Sequence, residues 1–339
     1  MPSVVEVTQP VPFGTKLKQK LAQTQEKASR DFRSDVVTVP TEDMMSAIVD
    51  ASVSDDIYDE DGDRCVKALE QRLVEMTAPH TVLLDHRAHV HCWESGALPV
   101  ISQASTTTIK PKNGVHLTLE DIKPGIIADG NKISQYVRSI TQPEGQKPIA
   151  MHLDAARLFD GVIGEGVDLK AYAACFDSMS ICLAKGIGAP IGSVILGKKA
   201  FIERAKWFRK MLGGGTRQPG MMAAAALSAL EYTLPRFPLV HKMTKEAAKQ
   251  LEAVGYKFTL PVQTNMIILD LEGAGIPPAA FVEYCAREKV AVFPMARLVF
   301  HHQTSETGVK NLITALTKLM KDKKDGVALE DKKVSGGYS

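Results

Sequence analysis

A single lysine stands between an apolar segment and a glycine-rich turn in the run Ala184–Ser193. The preceding residues, Ser178–Leu183, have the composition of a buried strand, so Lys185 is expected at a sheet edge, facing a pocket. A lysine in apolar surroundings loses its proton more readily, and only the neutral amine forms a Schiff base. Upstream, Asp154 and Arg157 follow another apolar segment. Such an acid, arginine and lysine at strand ends are the groups that pyridoxal phosphate (PLP) chemistry uses: a partner for the ring nitrogen, a carboxylate clamp and an aldehyde-binding amine.

Each of these residues alone has an ordinary explanation. A lysine before a glycine turn is usually part of a turn only, and Asp154 with Arg157 could be a surface ion pair that contributes little. Their combination at the strand ends of one α/β sheet favours a ligand site, because open sheets bind ligands there. The residues therefore indicate a cofactor site built around an amine.

The elements that must position these residues form two groups. Strands are predicted over 148–154, 178–183 and 193–197, with a loop between strands, and a helix is predicted over 199–211. Helices are also predicted from Thr41, over 62–77 and over Met221–Leu234, with a strand over Thr81–Asp85. Beyond a boundary near 236, a compact α+β pattern is predicted: helix 241–254, strand 256–271, helix 277–289, strand 291–300 and helix 305–323. The predicted division is a polar extension over 1–30 with a short helix over 16–29, a large domain over 31–235, a small domain over 236–324 and a disordered tail over 325–339.

Composition narrows the class of protein. The chain has 339 residues and a formal net charge of +2, which argues against a nucleic-acid surface. Its five cysteines are scattered and never form a Cys-x-x-Cys pair, so zinc and a disulfide framework are not expected and reduced thiols fit best. No apolar run is long enough to span a bilayer, and residues 1–30 make a poor signal peptide. We expect a cytoplasmic protein with neither nucleic-acid nor membrane partners.

Several separate blocks of the chain resemble the low-specificity L-threonine aldolase family of fold-type-I PLP-dependent enzymes. They occur in the family's order and cover roughly 31–320. The blocks are Phe32–Thr41, Ser54–Asp61, Asp85–Val90 with Glu94–Ala97, His152–Leu158, Lys185–Ser193, Arg209–Gln218 and Arg297–His301. The resemblance implies an α/β fold, with a large PLP-binding domain built on a mixed sheet and a small C-terminal α+β domain.

The resemblance also implies a role for each site residue. Lys185 would bind PLP as a Schiff base, and Asp154 would pair with the ring nitrogen. His89 would stack on the ring and take the proton of the substrate's β-hydroxyl, although on the sequence alone a core histidine is favoured. The substrate carboxylate would be held by Ser34, Arg157 and Arg297. No metal is implied, and the assembly would be a homodimer or homotetramer.

The implied reaction is retro-aldol cleavage of L-threonine or L-allo-threonine, small amino-acid substrates, to glycine and acetaldehyde. The chain departs from the family pattern at two gaps, after Thr77 and after Asn131, where two sheet strands and the segment that seats the PLP phosphate have no counterpart. Ala155, Ala184 and Phe300 replace the usual glycine, serine and threonine. Two alternatives therefore stand: a catalytically impaired member that acts as an inactive subunit or truncated isoform, or another fold-type-I amino-acid lyase such as a β-eliminating enzyme.

Overall fold

The computed structural model describes residues 13–51, 63–76, 84–85, 108–109, 130–140, 148–216 and 218–329. The chain divides into two compact units. The central unit is Ala47–His241, and the terminal unit combines Met1–Ser46 with Lys242–Ser339. Residues 31–46 thus group with the C-terminal part of the chain, and the domain limits given above stay a prediction, as does the disordered tail.

The described helices are numbered in chain order. They are α1 (Phe13–Ala28), α2 (Glu42–Val49), α3 (Arg64–Met76), α4 (Gly130–Ser139), α5 (Leu158–Glu165), α6 (Leu169–Ala173), α7 (Lys199–Met211), α8 (Gly220–Thr233), α9 (Phe237–Val254), α10 (Pro278–Arg287) and α11 (Glu306–Lys324). The described strands are β1 (Leu84–Asp85), β2 (Thr108–Ile109), β3 (His152–Asp154), β4 (Ser178–Cys182), β5 (Ser193–Gly197), β6 (Met266–Ile268) and β7 (Arg297–Val299).

The central unit contains a mixed sheet with β4 in the middle. β3 runs parallel to β4, with Asp154 opposite Ser180, and β5 runs antiparallel to it. Met179 and Ile181 point to the same face of β4, because successive side chains of a strand alternate between faces. Both are fully buried. β1 and β2 form a separate parallel pair.

The segment between β3 and β4 was predicted to be a loop, and this prediction is wrong. It contains two short helices, α5 and α6. Three glycines between 161 and 166 interrupt the sequence pattern that would have predicted a helix. Asp168 caps α6, since its Oδ1 accepts a hydrogen bond from the Ala171 N–H at 2.7 Å. The helix α5 matters for function, because it starts directly after the strand end that carries Asp154.

In the terminal unit, the strand predicted over 256–271 is a hairpin. The Thr259 N–H donates to the Ile268 carbonyl at 3.0 Å, and the Asp270 N–H donates to the Lys257 carbonyl at 2.9 Å. The chain reverses between these two pairs, in a segment that contains Pro261, a residue that disfavours a central strand. Only Met266–Ile268 continues as β6, antiparallel to β7.

The N-terminal segment is bound to the same unit by main-chain hydrogen bonds. The Phe32 N–H donates to the Ala291 carbonyl at 3.0 Å, and the Val299 N–H donates to the Phe32 carbonyl at 2.9 Å. The rings of Phe32 and Phe300 are fully buried and meet edge to face, with centroids 5.0 Å apart. This packing fixes residues 31–34 beside β7.

Candidate active site

Asp154 and Lys185 lie at the same edge of the central sheet. Asp154 ends β3, and Lys185 follows the end of the neighbouring parallel strand β4. The Ala155 N–H continues the ladder beyond Asp154 by donating to the Ser180 carbonyl at 2.8 Å. Because the carboxyl ends of parallel strands meet at one edge, the acid and the amine are presented on the same side of the unit.

The turn that carries Lys185 is closed by main-chain hydrogen bonds. The Gly188 N–H donates to the Lys185 carbonyl at 2.8 Å, and the Ala189 N–H donates to the Leu183 carbonyl at 2.9 Å. Gly188 and Gly192 have φ angles of 76° and 121°, which a residue with a side chain rarely adopts. The glycines therefore give the lysine a rigid main-chain support, and its side chain is half-buried.

The Asp154 carboxylate remains open to a ligand. Its side chain is exposed, and its Oδ1 accepts a hydrogen bond from the Ala156 N–H at 3.1 Å. Three residues on, Arg157 occupies the N-cap position of α5 and is half-buried. The strand end and the start of α5 thus supply an anion and a cation within one short segment.

His152 belongs to this site, and sequence analysis gave it no role. It precedes Asp154 by two residues on β3, so the two side chains share a face of the sheet. Its ring nitrogens lie 2.9 Å from Ser178 Oγ and 3.2 Å from Ser180 Oγ. Burial lowers the pKa of His152, against the opposing charge of Asp154, which favours the neutral ring. The period-two pattern of polar residues on β3 and β4 was the available signal.

Ser34 and Arg297 belong to the terminal unit. The Ser34 hydroxyl is buried, accepts a hydrogen bond from the Val36 N–H at 3.4 Å and donates to Asp35 Oδ1 at 3.3 Å. Arg297 starts β7, and its Nε is buried with no hydrogen-bond partner among the residues that the structure describes. A buried donor of this kind is costly to leave unpaired, so it is suited to receive an anionic group of a ligand.

A buried histidine holds the segment that carries Ser34. The Nε2–H of His301 donates to the Asp31 carbonyl at 2.9 Å, and its Nδ1 accepts from the Gln303 N–H at 3.3 Å. Burial lowers the pKa of His301, so the neutral ring is favoured. Next to it, the Arg33 guanidinium forms a two-pronged ion pair with the Asp31 carboxylate.

The structure therefore places the described site residues in two units. Asp154, Arg157 and Lys185 are grouped in the central unit, and Ser34 and Arg297 in the terminal unit. His89 lies outside the described residues. Within the described part of the chain, no three His, Cys, Asp or Glu side chains form a group that could hold a metal ion.

The chain is similar to known proteins along most of its length. The profile of a family described as Beta-eliminating lyase matches residues 132–274. The low-specificity L-threonine aldolase of Candida albicans is 33% identical over 330 residues, which cover 83% of this chain and 87% of that one. The corresponding enzyme of Saccharomyces cerevisiae is 32% identical over 337 residues, covering 86% of each chain. This chain belongs to the threonine aldolase family.

The fold agrees with that membership. The threonine aldolase of Leishmania major superposes with a TM-score of 0.56 at 15% sequence identity, covering 93% of this chain and 97% of that one. This likeness confirms the predicted α/β fold of type I, and whether two strands of the family sheet are missing stays a prediction. Among the described helices, none combines the length and apolar character required to cross a membrane.

Proposed function

We propose that this member of the threonine aldolase family cleaves L-threonine and L-allo-threonine to glycine and acetaldehyde with PLP as cofactor. The observation that carries the proposal is the placement of Lys185 and Asp154 at the ends of two adjacent parallel strands. The names of the relatives support the same reaction and do not favour β-elimination or an inactive subunit.

The described residues fit this cofactor in their donor and acceptor groups. The Lys185 amine would bind the aldehyde carbon, and the Asp154 carboxylate, which is open to a ligand, would pair with the ring nitrogen. When bound, PLP supplies an electron sink next to the substrate's α-carbon. The unpaired Nε of Arg297, with Arg157 and Ser34, would hold the substrate carboxylate.

These residues would orient the reaction. A fixed carboxylate sets the direction of the substrate's Cα–Cβ bond, and pre-orientation of this kind lowers the activation barrier substantially. Asp154 would keep a proton on the ring nitrogen through charge pairing, and His89 would accept the β-hydroxyl proton. Lys185 would return a proton to the α-carbon of the product.

The first test uses absorbance of the purified chain with added PLP. We expect a visible band from lysine-bound cofactor that disappears in Lys185→Ala and persists in Lys170→Ala, an exposed lysine on α6. The second test measures acetaldehyde from L-threonine and L-allo-threonine, and ammonia from L-serine. No band at saturating PLP would support the impaired alternative, and ammonia without acetaldehyde would support the eliminating one.

We also propose a cytoplasmic homodimer or homotetramer. None of the described cysteines, Cys65, Cys175, Cys182 and Cys285, forms a disulfide, which supports a reducing compartment. Cell fractionation and light scattering of the purified chain test the location and the assembly. Recovery in a secreted fraction, or a monomer at micromolar concentration, would contradict the respective part.

A further inference from the structure

We propose that Asp160 and His241, a buried pair behind the Lys185 turn, are positioning residues for the lysine. The inference rests on the proposed function, because it assigns these two residues to the support of the cofactor-binding amine. Neither residue was predicted from the sequence. They are 81 positions apart.

The pair is buried and directly hydrogen-bonded. Asp160 is 3% exposed and His241 is 5% exposed. The His241 Nε2–H donates to Asp160 Oδ1 at 3.1 Å. Asp160 lies in the first turn of α5, where the helix dipole stabilises a carboxylate. The carboxylate thus has both a donor and a favourable field in a place without solvent.

The other carboxylate oxygen reaches the lysine turn. A Cβ on Gly186, the residue after Lys185, would lie 2.6 Å from Asp160 Oδ2 and 3.2 Å from Cε1 of Phe237. Gly186 is therefore enclosed between a carboxylate and an aromatic ring, and only a residue without a side chain fits there. Because Gly186 adjoins Lys185, this contact fixes the main chain from which the amine projects.

The helix α9 supplies both the ring and the imidazole. Phe237 and His241 are four residues apart on its first turns, and their rings stack with centroids 6.1 Å apart. The hydrogen bond from His241 to Asp160 links α9 to α5, and α5 begins beside the strand end that carries Asp154. One buried hydrogen bond therefore connects the supports of Lys185 and of Asp154.

The experiment compares Asp160→Asn with Asp168→Asn, the same change at the exposed N-cap of α6. In Asp160→Asn the amide oxygen can still accept from His241, but the negative charge that strengthens this buried hydrogen bond is removed, and we expect the PLP dissociation constant to rise about fivefold or more. We expect this in Asp160→Asn, with a weaker visible band and a lower kcat at nearly unchanged KM, and less than a twofold change in Asp168→Asn. A folded Asp160→Asn variant with unchanged PLP affinity, band and kcat would overturn the proposal.

Two further comparisons apply if Asp160→Asn fails to fold. In His241→Gln the side-chain amide can still donate to Asp160, so it should retain more PLP affinity than His241→Leu, and equal affinities would count against the pair. Gly186→Ala should weaken PLP binding in the wild-type background and weaken it much less in an Asp160→Ala background, since the 2.6 Å contact with Asp160 Oδ2 is then removed and only the milder 3.2 Å contact with Phe237 remains. Additive effects would refute the contact.

Hydrogen exchange of the cofactor-free chain separates this inference from the proposed function. If the wild type gives no PLP band, the proposed function fails, whatever the pair does. Faster exchange of residues 183–189 in Asp160→Asn than in Asp168→Asn, by about tenfold, would still show that the pair supports the lysine turn. Equal exchange rates of residues 183–189 in the two variants would show that the pair does not support the lysine turn.

Discussion

The resemblance to the threonine aldolase family implies a threonine where this chain has Phe300, and placing threonine there should destabilise this chain. The ring is fully buried and meets the equally buried Phe32 edge to face. Removing a buried phenylalanine ring costs about 3 to 5 kcal/mol, through the lost burial of the ring and the cavity that remains. The family residue is therefore not a neutral exchange here.

A neighbouring asparagine should recover part of this loss. Asn265 lies beside Phe300, donates from Nδ2 to its carbonyl at 3.0 Å, and has a buried Oδ1 without a hydrogen-bond partner among the described residues. We expect a threonine hydroxyl at position 300 to donate to that oxygen and to contribute about 1 kcal/mol. We therefore expect Phe300→Thr to lower the free energy of unfolding by about 2 to 4 kcal/mol, and Phe300→Ala by about 1 kcal/mol more.

Urea unfolding followed by circular dichroism measures these differences. Phe201→Thr, on the partly exposed face of α7, is the matched control and should cost less than about 1 kcal/mol. In an Asn265→Ala background the difference between the threonine and alanine variants should vanish. A Phe300→Thr variant as stable as the wild type, or an unchanged difference without Asn265, would refute the reasoning.

Three other measurements follow from single residues. Arg297→Met should leave the free energy of unfolding unchanged or higher, because the buried Nε has no hydrogen-bond partner among the described residues to lose. The KM for threonine should rise about 100-fold. A lower free energy of unfolding in Arg297→Met would contradict this reasoning. The folded-state pKa of His301 is below its ordinary 6.5, so stability is lost as pH falls through that value, and His301→Gln should flatten this loss in urea titrations at several pH values. Burial raises the pKa of Cys285 to about 12, so iodoacetamide should label half-buried Cys182 long before Cys285 in the native chain, as mass spectrometry can check.

Helices with clear signals at their ends were predictable from the sequence. The helix predicted over 305–323 is Glu306–Lys324, and Ser305 caps it by accepting a hydrogen bond from the Gly308 N–H at 2.9 Å. The helix predicted from Thr41 begins at Glu42, with the Thr41 hydroxyl accepting from the Met44 N–H. In both cases the start of the helix is set by an N-cap residue directly before it, and such a residue can be read from the sequence alone.

Strand limits were less predictable, because they depend on partners elsewhere in the chain. The strand predicted over 291–300 is reduced to Arg297–Val299, since the main chain turns before it and Ala296 adopts a positive φ of 54°. The turn includes Pro294, and a proline inside the apolar run was the available signal. The strand predicted over 148–154 is shortened to His152–Asp154 for a related reason: only these residues have a partner on β4.

The residues of the candidate site also differ in whether their sequence signal is local or depends on distant parts of the chain. Asp154 and Lys185 were predicted as site residues because each stands at the end of an apolar segment, so a short window of sequence contains the signal. His241 lies 81 positions from Asp160, and only the packing of α9 against the turn at Gly186 brings them together. Residues proposed to bind the reacting groups thus stand in local motifs, whereas the residues proposed to hold those motifs in place are recognised only from the packing of distant helices. If the Asp160 and His241 variants behave as expected, the support of the lysine belongs to this second class.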